Sequence, residues 1–340
     1  VPKGVLRVSR RGRKRGGDLL SLGSPILISR CNGLNPHHYD VVLDWIEQQH
    51  PDLLRHVAGR ALPYSLPSDS KCRLHIPWLQ DPVEDLHASA YRWSTELSRQ
   101  CDERGIRTIN RVDKHANVSR LEASRRLASA GIRTPKVVAV ASEEELREGL
   151  CGMEPPVILR DNRSHQSPFV RIDSMSEAKT VSLKGFRDPV LAEFIDVASP
   201  DGAYRKFRCI LLGDAVYSHH LQVTESWISR GKGRIKNAST REEEIEYLLA
   251  PEPHEELMRA ARKALDLEFL GVDYALDKQG RVVVWEANLY PHIHFSKNDL
   301  VYRNFAMERT IAGMVRYYLE QAGIPAPARL IHQASYDDGK

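Results

Sequence analysis

The sequence predicts an α/β protein: a small N-terminal α/β unit, followed by two α+β units whose sheets are mixed and largely antiparallel. Three observations predict this class. The 340 residues suffice for about two domains of roughly 150 residues. A content of 41% hydrophobic and 28% charged residues is typical of a globular chain with a sizeable core. Apolar runs of strand length alternate with helical periodicity along most of the sequence.

Turn and cap residues indicate where the helices and strands begin and end. Gly131, with Pro135 just beyond it, ends the helix at 118–130. Ser142 precedes three glutamates and predicts a capped helix start. Gly213-Asp214 predicts a hairpin turn, as does the Asp277–Gly280 segment. We predict strands at 25–28, 106–109, 136–141, 156–160, 170–172, 190–195, 204–212, 216–223, 270–276 and 282–288, and further helices at 41–46, 86–104, 242–249, 255–267 and 307–321.

These elements divide the chain into five segments. We predict a basic arm at 1–19, the N-terminal α/β unit at 20–112, a small α+β unit at 113–189, a C-terminal α+β unit at 190–323 and a tail at 324–340. The first 17 residues carry seven lysines and arginines without aromatic residues, which favours a solubilising tail over a nucleic-acid contact.

Charge and cysteine content exclude several classes of protein. A formal net charge of +4 is too small to indicate nucleic acid or membrane as a partner. No apolar run approaches the ~20 residues that span a bilayer. Five scattered cysteines without a Cys-x-x-Cys pair argue against a zinc site or disulfide scaffold, and they favour the cytoplasm. The sequence leaves a homo-oligomer open.

The last predicted hairpin carries three candidate metal ligands. Asp273 lies on its first strand, and Glu286 and Asn288 lie on its second. In a symmetric hairpin Asp273 faces Val284 and shares a side with the other two. Two carboxylates and an amide oxygen suit Mg²⁺, with Mn²⁺ as an alternative. A solvated strand face is the other interpretation, but Glu286 directly follows an apolar run.

Several segments, in their order, resemble the ATP-grasp superfamily. Arg111-Val112-Asp113-Lys114 and a helix precede Gly131-Ile132-Arg133-Thr134-Pro135-Lys136, and Leu191-Ala192-Glu193-Phe194-Ile195 and Tyr204–Asp214 follow before Glu286-Ala287-Asn288. The resemblance covers about residues 111–288. The nearest members in order are glutathione synthetase and the ligases that add glutamate to protein or peptide ends.

The resemblance implies a role for individual residues. It makes Lys114 the first phosphate lysine and gives the adenine-binding linker to Glu193, Phe194 and Ile195. It places Arg208 at the terminal phosphates, and strand alternation adds Lys206 beside it. The catalytic residues that it implies are Arg208, Lys206 and Arg160.

Two features depart from the family pattern. Arg160 stands where the family has a second phosphate lysine, and arginine is not a neutral exchange for lysine. The loop at 161–169 lacks the glycines with which the family covers the phosphates. Arg163, Ser164 and His165 are then the candidate side-chain donors.

The implied function is an ATP-dependent carboxylate–amine ligase with an acyl-phosphate intermediate, using ATP and Mg²⁺. Small-molecule or peptide acids and amines are the expected substrates. Candidate substrate contacts are Tyr204, Arg230, Lys232 and Arg234, with His292 and His294 as pocket-lining or acid–base residues. Two alternatives stay open: a phosphotransferase of the same fold, and a catalytically altered nucleotide-binding relative that serves as a sensor or partner protein.

Overall fold

The computed structural model describes residues 23–31, 38–163, 168–228 and 233–334. The basic arm at 1–19, the loop residues Ser164 and His165, and the substrate candidates Arg230 and Lys232 lie outside the described residues. None of the helices within the described ranges combines the length and apolar character that crossing a bilayer requires.

The N-terminal unit contains a four-stranded parallel sheet, called sheet 1. Its elements are β1 (Ile26–Arg30), α1 (His38–Gln49), β2 (Val57–Ala61), β3 (Leu74–Pro77), α2 (Val83–Leu86), α3 (Ala88–Glu103) and β4 (Arg107–Thr108). The strand order is β2-β1-β3-β4. Strands β2 and β3 were not predicted: β2 shows no apolar alternation, and β3 is a short buried run that ends at a proline.

The next unit contains an antiparallel sheet, called sheet 2. Its elements are α4 (Arg120–Ser129), β5 (Val137–Ala139), α5 (Glu143–Cys151), β6 (Val157–Asp161), β7 (Phe169–Ile172), α6 (Met175–Ala178) and β8 (Pro189–Glu193), in strand order β5-β8-β6-β7. Ser142 caps α5 by accepting the backbone N–H of Glu145, as the sequence predicts. Because β8 pairs with β5 and β6, the proposed unit boundary at 189/190 would cut a strand from its own sheet, and we move it to after Glu193.

The C-terminal unit is built on a second antiparallel sheet, called sheet 3. Its elements are β9 (Tyr204–Leu212), β10 (Ala215–Thr224), α7 (Ala238–Leu249), α8 (Glu255–Leu265), β11 (Phe269–Leu276), β12 (Val282–Asn288), α9 (Asn304–Gln321) and α10 (Ala328–Ala334), in strand order β10-β9-β11-β12. The predicted class, a small α/β unit followed by two α+β units with largely antiparallel sheets, is confirmed.

Sheets 1 and 3 share one hydrophobic core, whereas sheet 2 has its own. Ile28 of β1, Ile210 of β9 and Ile311 of α9 belong to the shared core. Asn110 reinforces this junction, because its Oδ1 accepts the N–H groups of Glu268 and Phe269 at 2.8 and 3.1 Å. Sheets 1 and 3 therefore form a common base for the sheet-2 unit.

The register of the β11–β12 hairpin differs from the symmetric prediction. Tyr274, and not Asp273, pairs with Val284, and a bulge at Trp285 then sets Asp273 opposite Glu286. The turn and the bulge each shift the register by one residue. Since strand faces repeat every two residues, the two shifts together return both acids to one face of the sheet. The predicted pairing of Asp273 with Val284 is wrong, but its consequence for the two acids survives.

A buried histidine in sheet 1 should make the fold sensitive to acid. Burial lowers the pKa of His75 to about 3, and its Nε2 is hydrogen-bonded to the Ser29 hydroxyl at 2.7 Å. The unfolded chain takes up this proton near pH 6.5, whereas the folded chain does not until about pH 3, so stability falls as the pH drops through that window. We expect His75 alone to lower the free energy of unfolding by about 2 kcal/mol between pH 7 and pH 5.

Urea unfolding at the two pH values measures this effect. His75→Gln keeps a partner for Ser29 but does not titrate there, so the decline should be smaller by that amount. An equal decline in both proteins would contradict the prediction.

Candidate active site

Four polar side chains line up across sheet 3, and we call them the polar row. Glu286 of β12 pairs with Asp273 of β11, and Asp273 pairs with Arg208 of β9. His220 of β10 is the ladder partner of Arg208 on the other side. The row therefore crosses the four strands of sheet 3 from one edge to the other.

The row lies where the face of β9 changes from apolar to polar. Ile210 and Leu212 belong to the core shared with sheet 1. Arg208 and Lys206 continue the same face, because alternate residues of a strand share a side. Beyond the core, this face is thus available for polar chemistry.

Asp273 is the electrostatic centre of the row and is 1% exposed. It accepts hydrogen bonds from Nε and a terminal nitrogen of Arg208, the second at 2.7 Å, and Lys206 Nζ lies 3.2 Å from its Oδ2. Burial alone raises the pKa of this carboxyl group, but the two cations outweigh it and hold the pKa below its usual value. Asp273 is therefore ionised at neutral pH and fixes both cations.

A cavity of about 250 Å³ lies between sheets 2 and 3, and we call it the cleft. Sheet 2 contributes Ile158 and Arg160, which share a face of β6 while Val157 and Leu159 are buried on the other. Sheet 3 contributes Lys206 and Glu286, among other residues. The cleft thus joins the cationic strand β9 to the second sheet.

One end of the cleft is apolar and aromatic. It is lined by the predicted linker Glu193, Phe194 and Ile195 together with Val137, Ile158, Phe169, Val197, Trp227 and Trp285. Trp227 contacts Phe169 and Phe194 edge-on, with ring centroids 5.6 and 5.5 Å apart. Arg171 stacks 4.2 Å above the Phe194 ring. This end suits a flat, apolar ring system bounded by backbone and carboxylate hydrogen-bonding groups.

The other end of the cleft is basic. Arg120, Arg160 and Lys206 line it, beside the carboxylate of Glu286. Arg120 is 11% exposed and donates to the carbonyls of Asp161 and Asn162, both at 2.9 Å, and its other terminal nitrogen lies 3.7 Å from Glu286. Guanidinium groups in such a place are suited to bind phosphate oxygens.

Lys114, predicted as the first phosphate lysine, does not line the cleft. It pairs with Asp266 at 2.8 Å and is about one-third exposed. Arg120, six residues later, is the basic side chain of this segment that reaches the cleft. The only sequence signal for it is its place directly after Ser119, which caps α4. The role of Lys114 at the phosphates therefore stays a prediction, and Arg120 is a second candidate from the same segment.

The predicted substrate residues separate into two groups. The rings of His292 and His294 lie 4.0 Å apart, and burial and Arg208 lower the pKa of His292, so this pair belongs to the neighbourhood of the polar row. Arg234 is not among the residues that line the cleft, and it pairs with Glu244 at 2.9 Å. Tyr204, like Ile195, packs against a small apolar cluster that contains Val197.

The three predicted metal ligands do not present free oxygens together. Glu286 is the accessible one, with 28% of its side chain exposed in the cleft. Asp273 is held by two cations, and Asn288 Oδ1 accepts the Tyr290 N–H at 2.8 Å. Within the described ranges no cluster of three His, Cys, Asp or Glu side chains is arranged for a metal. Glu286 is the carboxylate that fits a cation arriving with phosphate oxygens, and Asp273 and Asn288 stay predictions as its further ligands.

Arg163, predicted as a phosphate donor, binds the N-terminal unit instead. It donates to Asp81, at 2.6 Å, and to Glu84, and its side chain is 13% exposed. Asp81 and Arg163 both line the cleft. The segment after β6 is thus tied to the residues around α2, which closes the cleft on the side of sheet 1.

Solved structures of several ligases share the fold of this chain. The ATP-grasp ligase PsnB, complexed with precursor peptide PsnA2 and AMPPNP, matches with a TM-score of 0.57 and 11% identity, over 89% of this chain and 98% of that one. VanG D-Ala:D-Ser ligase from Enterococcus faecalis matches with a TM-score of 0.56 and 13% identity, over 88% and 99%. D-alanyl-alanine synthetase A from Vibrio cholerae matches with a TM-score of 0.56 and 11% identity, over 89% and 100%.

Sequence comparisons add no relative: no protein-family model and no curated protein match the chain. At 11–13% identity the structural likeness establishes the fold alone.

Proposed function

The chain has the ATP-grasp fold, and on this premise we propose that it is an ATP-dependent ligase that joins a carboxylate to an amine through an acyl phosphate. One observation carries the proposal: the cleft between sheets 2 and 3 is apolar and aromatic at one end, basic at the other, and continues into the polar row. This sequence of surfaces matches the base, the phosphates and the reacting group of a nucleotide-dependent transfer.

The residues of the cleft fit ATP. The linker Glu193–Ile195 supplies a carboxylate and backbone groups for the base, between apolar walls. Arg120, Arg160 and Lys206 supply three positive charges for the phosphates, in a site partly screened from water. Phosphate binding then depends less on the loop at 161–169, which has no glycine, because side chains provide the donors that backbone N–H groups would otherwise provide.

Magnesium, as the fold family uses it, neutralises phosphate charge when bound. Glu286 would hold it first, because its carboxylate is accessible in the cleft, and Asp273 stands directly opposite on β11. When no metal is bound, Asp273 keeps Arg208 and Lys206 in place.

The polar row performs the positioning. Arg208 and Lys206 hold the acid carboxylate beside the terminal phosphate and neutralise the charge that develops in transfer. The carboxylate oxygen bonds to phosphorus as ADP leaves, and an amine then displaces phosphate from the acyl carbon. His292 and His294 are neutral at pH 7, because burial lowers both pKa values, that of His294 to about 4, so both act as uncharged hydrogen-bonding groups beside the polar row.

Hydroxylamine provides a direct test, because it captures acyl phosphates whatever the natural amine is. We expect the protein, with ATP, Mg²⁺, pooled acids and hydroxylamine, to form a hydroxamate and to release ADP and phosphate. A stable phosphorylated acceptor without hydroxamate would favour the phosphotransferase alternative. Bound but unchanged ATP would favour the nucleotide-binding relative.

Arg120 should contribute strongly to nucleotide binding. We expect Arg120→Gln to weaken AMPPNP binding roughly 10- to 100-fold, because a charged donor to phosphate is lost. Calorimetric titration measures the change. Arg125→Gln, on the same helix but exposed and paired with Glu122, is the matched control and should bind normally. Equal affinities in both variants would reject the phosphate role.

A further inference from the structure

A second group of charged residues lies at the outer edge of β10, where the segment around Arg234 bridges to Thr224. Glu244 of α7 is 1% exposed and accepts from Arg234 at 2.9 Å and from Arg303 at 2.5 Å. It also accepts the backbone N–H of Leu221 at 3.1 Å and the Tyr302 hydroxyl. We call Arg234, Glu244 and Arg303 the edge cluster.

The edge cluster is close to the polar row. Both of its guanidinium groups approach the carbonyl oxygen of Leu221, at 3.4 and 3.5 Å. Leu221 directly follows His220, the ladder partner of Arg208. Since ladder partners lie about 5 Å apart, the edge guanidiniums are on the order of 10 Å from the strand position of Arg208. A short linear molecule can reach both.

The two groups together carry excess positive charge. In the polar row, Asp273 is shared by Arg208 and Lys206, and in the edge cluster Glu244 is shared by two arginines. Each buried acid therefore balances one of its two cations, and Glu286 balances the second cation of the polar row, so one positive charge remains, at the edge cluster. Burial, Arg208 and Arg303 lower the pKa values of His219 and His220, so these intervening imidazoles stay neutral and do not add to the surplus.

The edge cluster also has donor capacity and space. Nε of Arg303 is buried and has no hydrogen-bond partner among the described residues. Arg234 and Tyr302 line a second cavity of about 380 Å³.

Resting on the proposed ligase function, we propose that the edge cluster binds a second carboxylate of the acid substrate. The reacting carboxylate lies at Arg208 and Lys206, and the second one at Arg303 and Arg234. The acid substrate is therefore a dicarboxylate, either free or as an acidic residue of a peptide with a second carboxylate within reach. The second carboxylate neutralises the one positive charge that Glu244 leaves unbalanced in the edge cluster.

Matched acids test this assignment. Glutarate and its monoamide have the same length and differ in one carboxylate. We expect hydroxamate formation from glutarate with a kcat/KM roughly 10- to 100-fold higher than from the monoamide, since one charge-assisted contact is lost. Arg303→Gln should raise the KM for glutarate, so that the kcat/KM values of the two acids become similar. The affinity for AMPPNP should be unchanged. Arg303→Lys keeps Glu244 neutralised and should retain part of the preference.

Arg316→Gln on α9, which removes an exposed arginine, is the control and should keep the wild-type preference. Thermal melts show whether each variant is folded. Equal rates from the two acids in the wild type, or a preference that Arg303→Gln retains, would overturn the proposal.

Failure of the ligase function itself gives a different result. If no acid yields hydroxamate, calorimetric titration of glutarate into the protein with AMPPNP decides the matter. Binding that Arg303→Gln abolishes supports the dicarboxylate site, and the absence of glutarate binding rejects it.

Discussion

Substituting Glu286 with glutamine is expected to lower hydroxamate formation by about 100- to 1,000-fold, with little effect on folding. The carboxylate is the accessible acid at the basic end of the cleft, and its charge would be needed to hold a divalent cation against the phosphates. Glutamine keeps the size and one oxygen of the side chain, and the ion pair of Glu286 with Arg120 spans 3.7 Å. The thermal midpoint should therefore change little.

Steady-state assays at saturating ATP, and at several Mg²⁺ concentrations, measure the effect. Glu246→Gln, on the exposed side of α7, removes the same charge elsewhere and should retain the wild-type rate. A Glu286→Gln protein with a rate within twofold of wild type would show that the metal site is placed wrongly.

Substitution of Arg208 should lower the free energy of unfolding far more than substitution of Glu286. Arg208→Met leaves the buried Asp273 with Lys206 as its remaining cation, and breaking a buried ion pair from one side costs about 3–5 kcal/mol in the free energy of unfolding. Activity should disappear as well, because the reacting carboxylate loses its principal cation.

A double variant separates these two effects. Arg208→Met with Asp273→Asn removes both charges of the pair, so most of the lost stability should return, while activity stays absent. Urea unfolding and the hydroxamate assay provide the two readouts. If the double variant is as unstable as the single one, the ion pair is not what stabilises this part of sheet 3.

The strands of sheet 3 were predictable because their patterns are local. Strand-length segments rich in aromatic and β-branched or other apolar residues, and the glycine turn between them, define β9 and β10 without tertiary information. The acidic hairpin was predictable in its position but not in its register. No sequence period shows a bulge at Trp285, which arises from how β12 fits against β11.

The residues that sequence reasoning missed act through contacts distant in the chain. Arg120 and Lys114 both carry a positive charge in the sequence. Which of them enters the cleft depends on where α4 begins relative to sheet 3. Arg303 and Glu244 are 59 positions apart in the chain and meet only because α7 and the segment before α9 both pack at the edge of β10. Such pairings carry no periodic signal.

Because the two register shifts of the acidic hairpin cancel each other, its length can change only by an even number of residues if both acids are to stay on one face. Deleting one residue from the turn or from the bulge would rotate Glu286 to the side of sheet 3 that packs on α8, where a carboxylate would meet Val272 and Met258. Removing one residue from each place would restore the alignment. Among natural or engineered versions of this segment, even changes in length should therefore be tolerated where odd ones are lost.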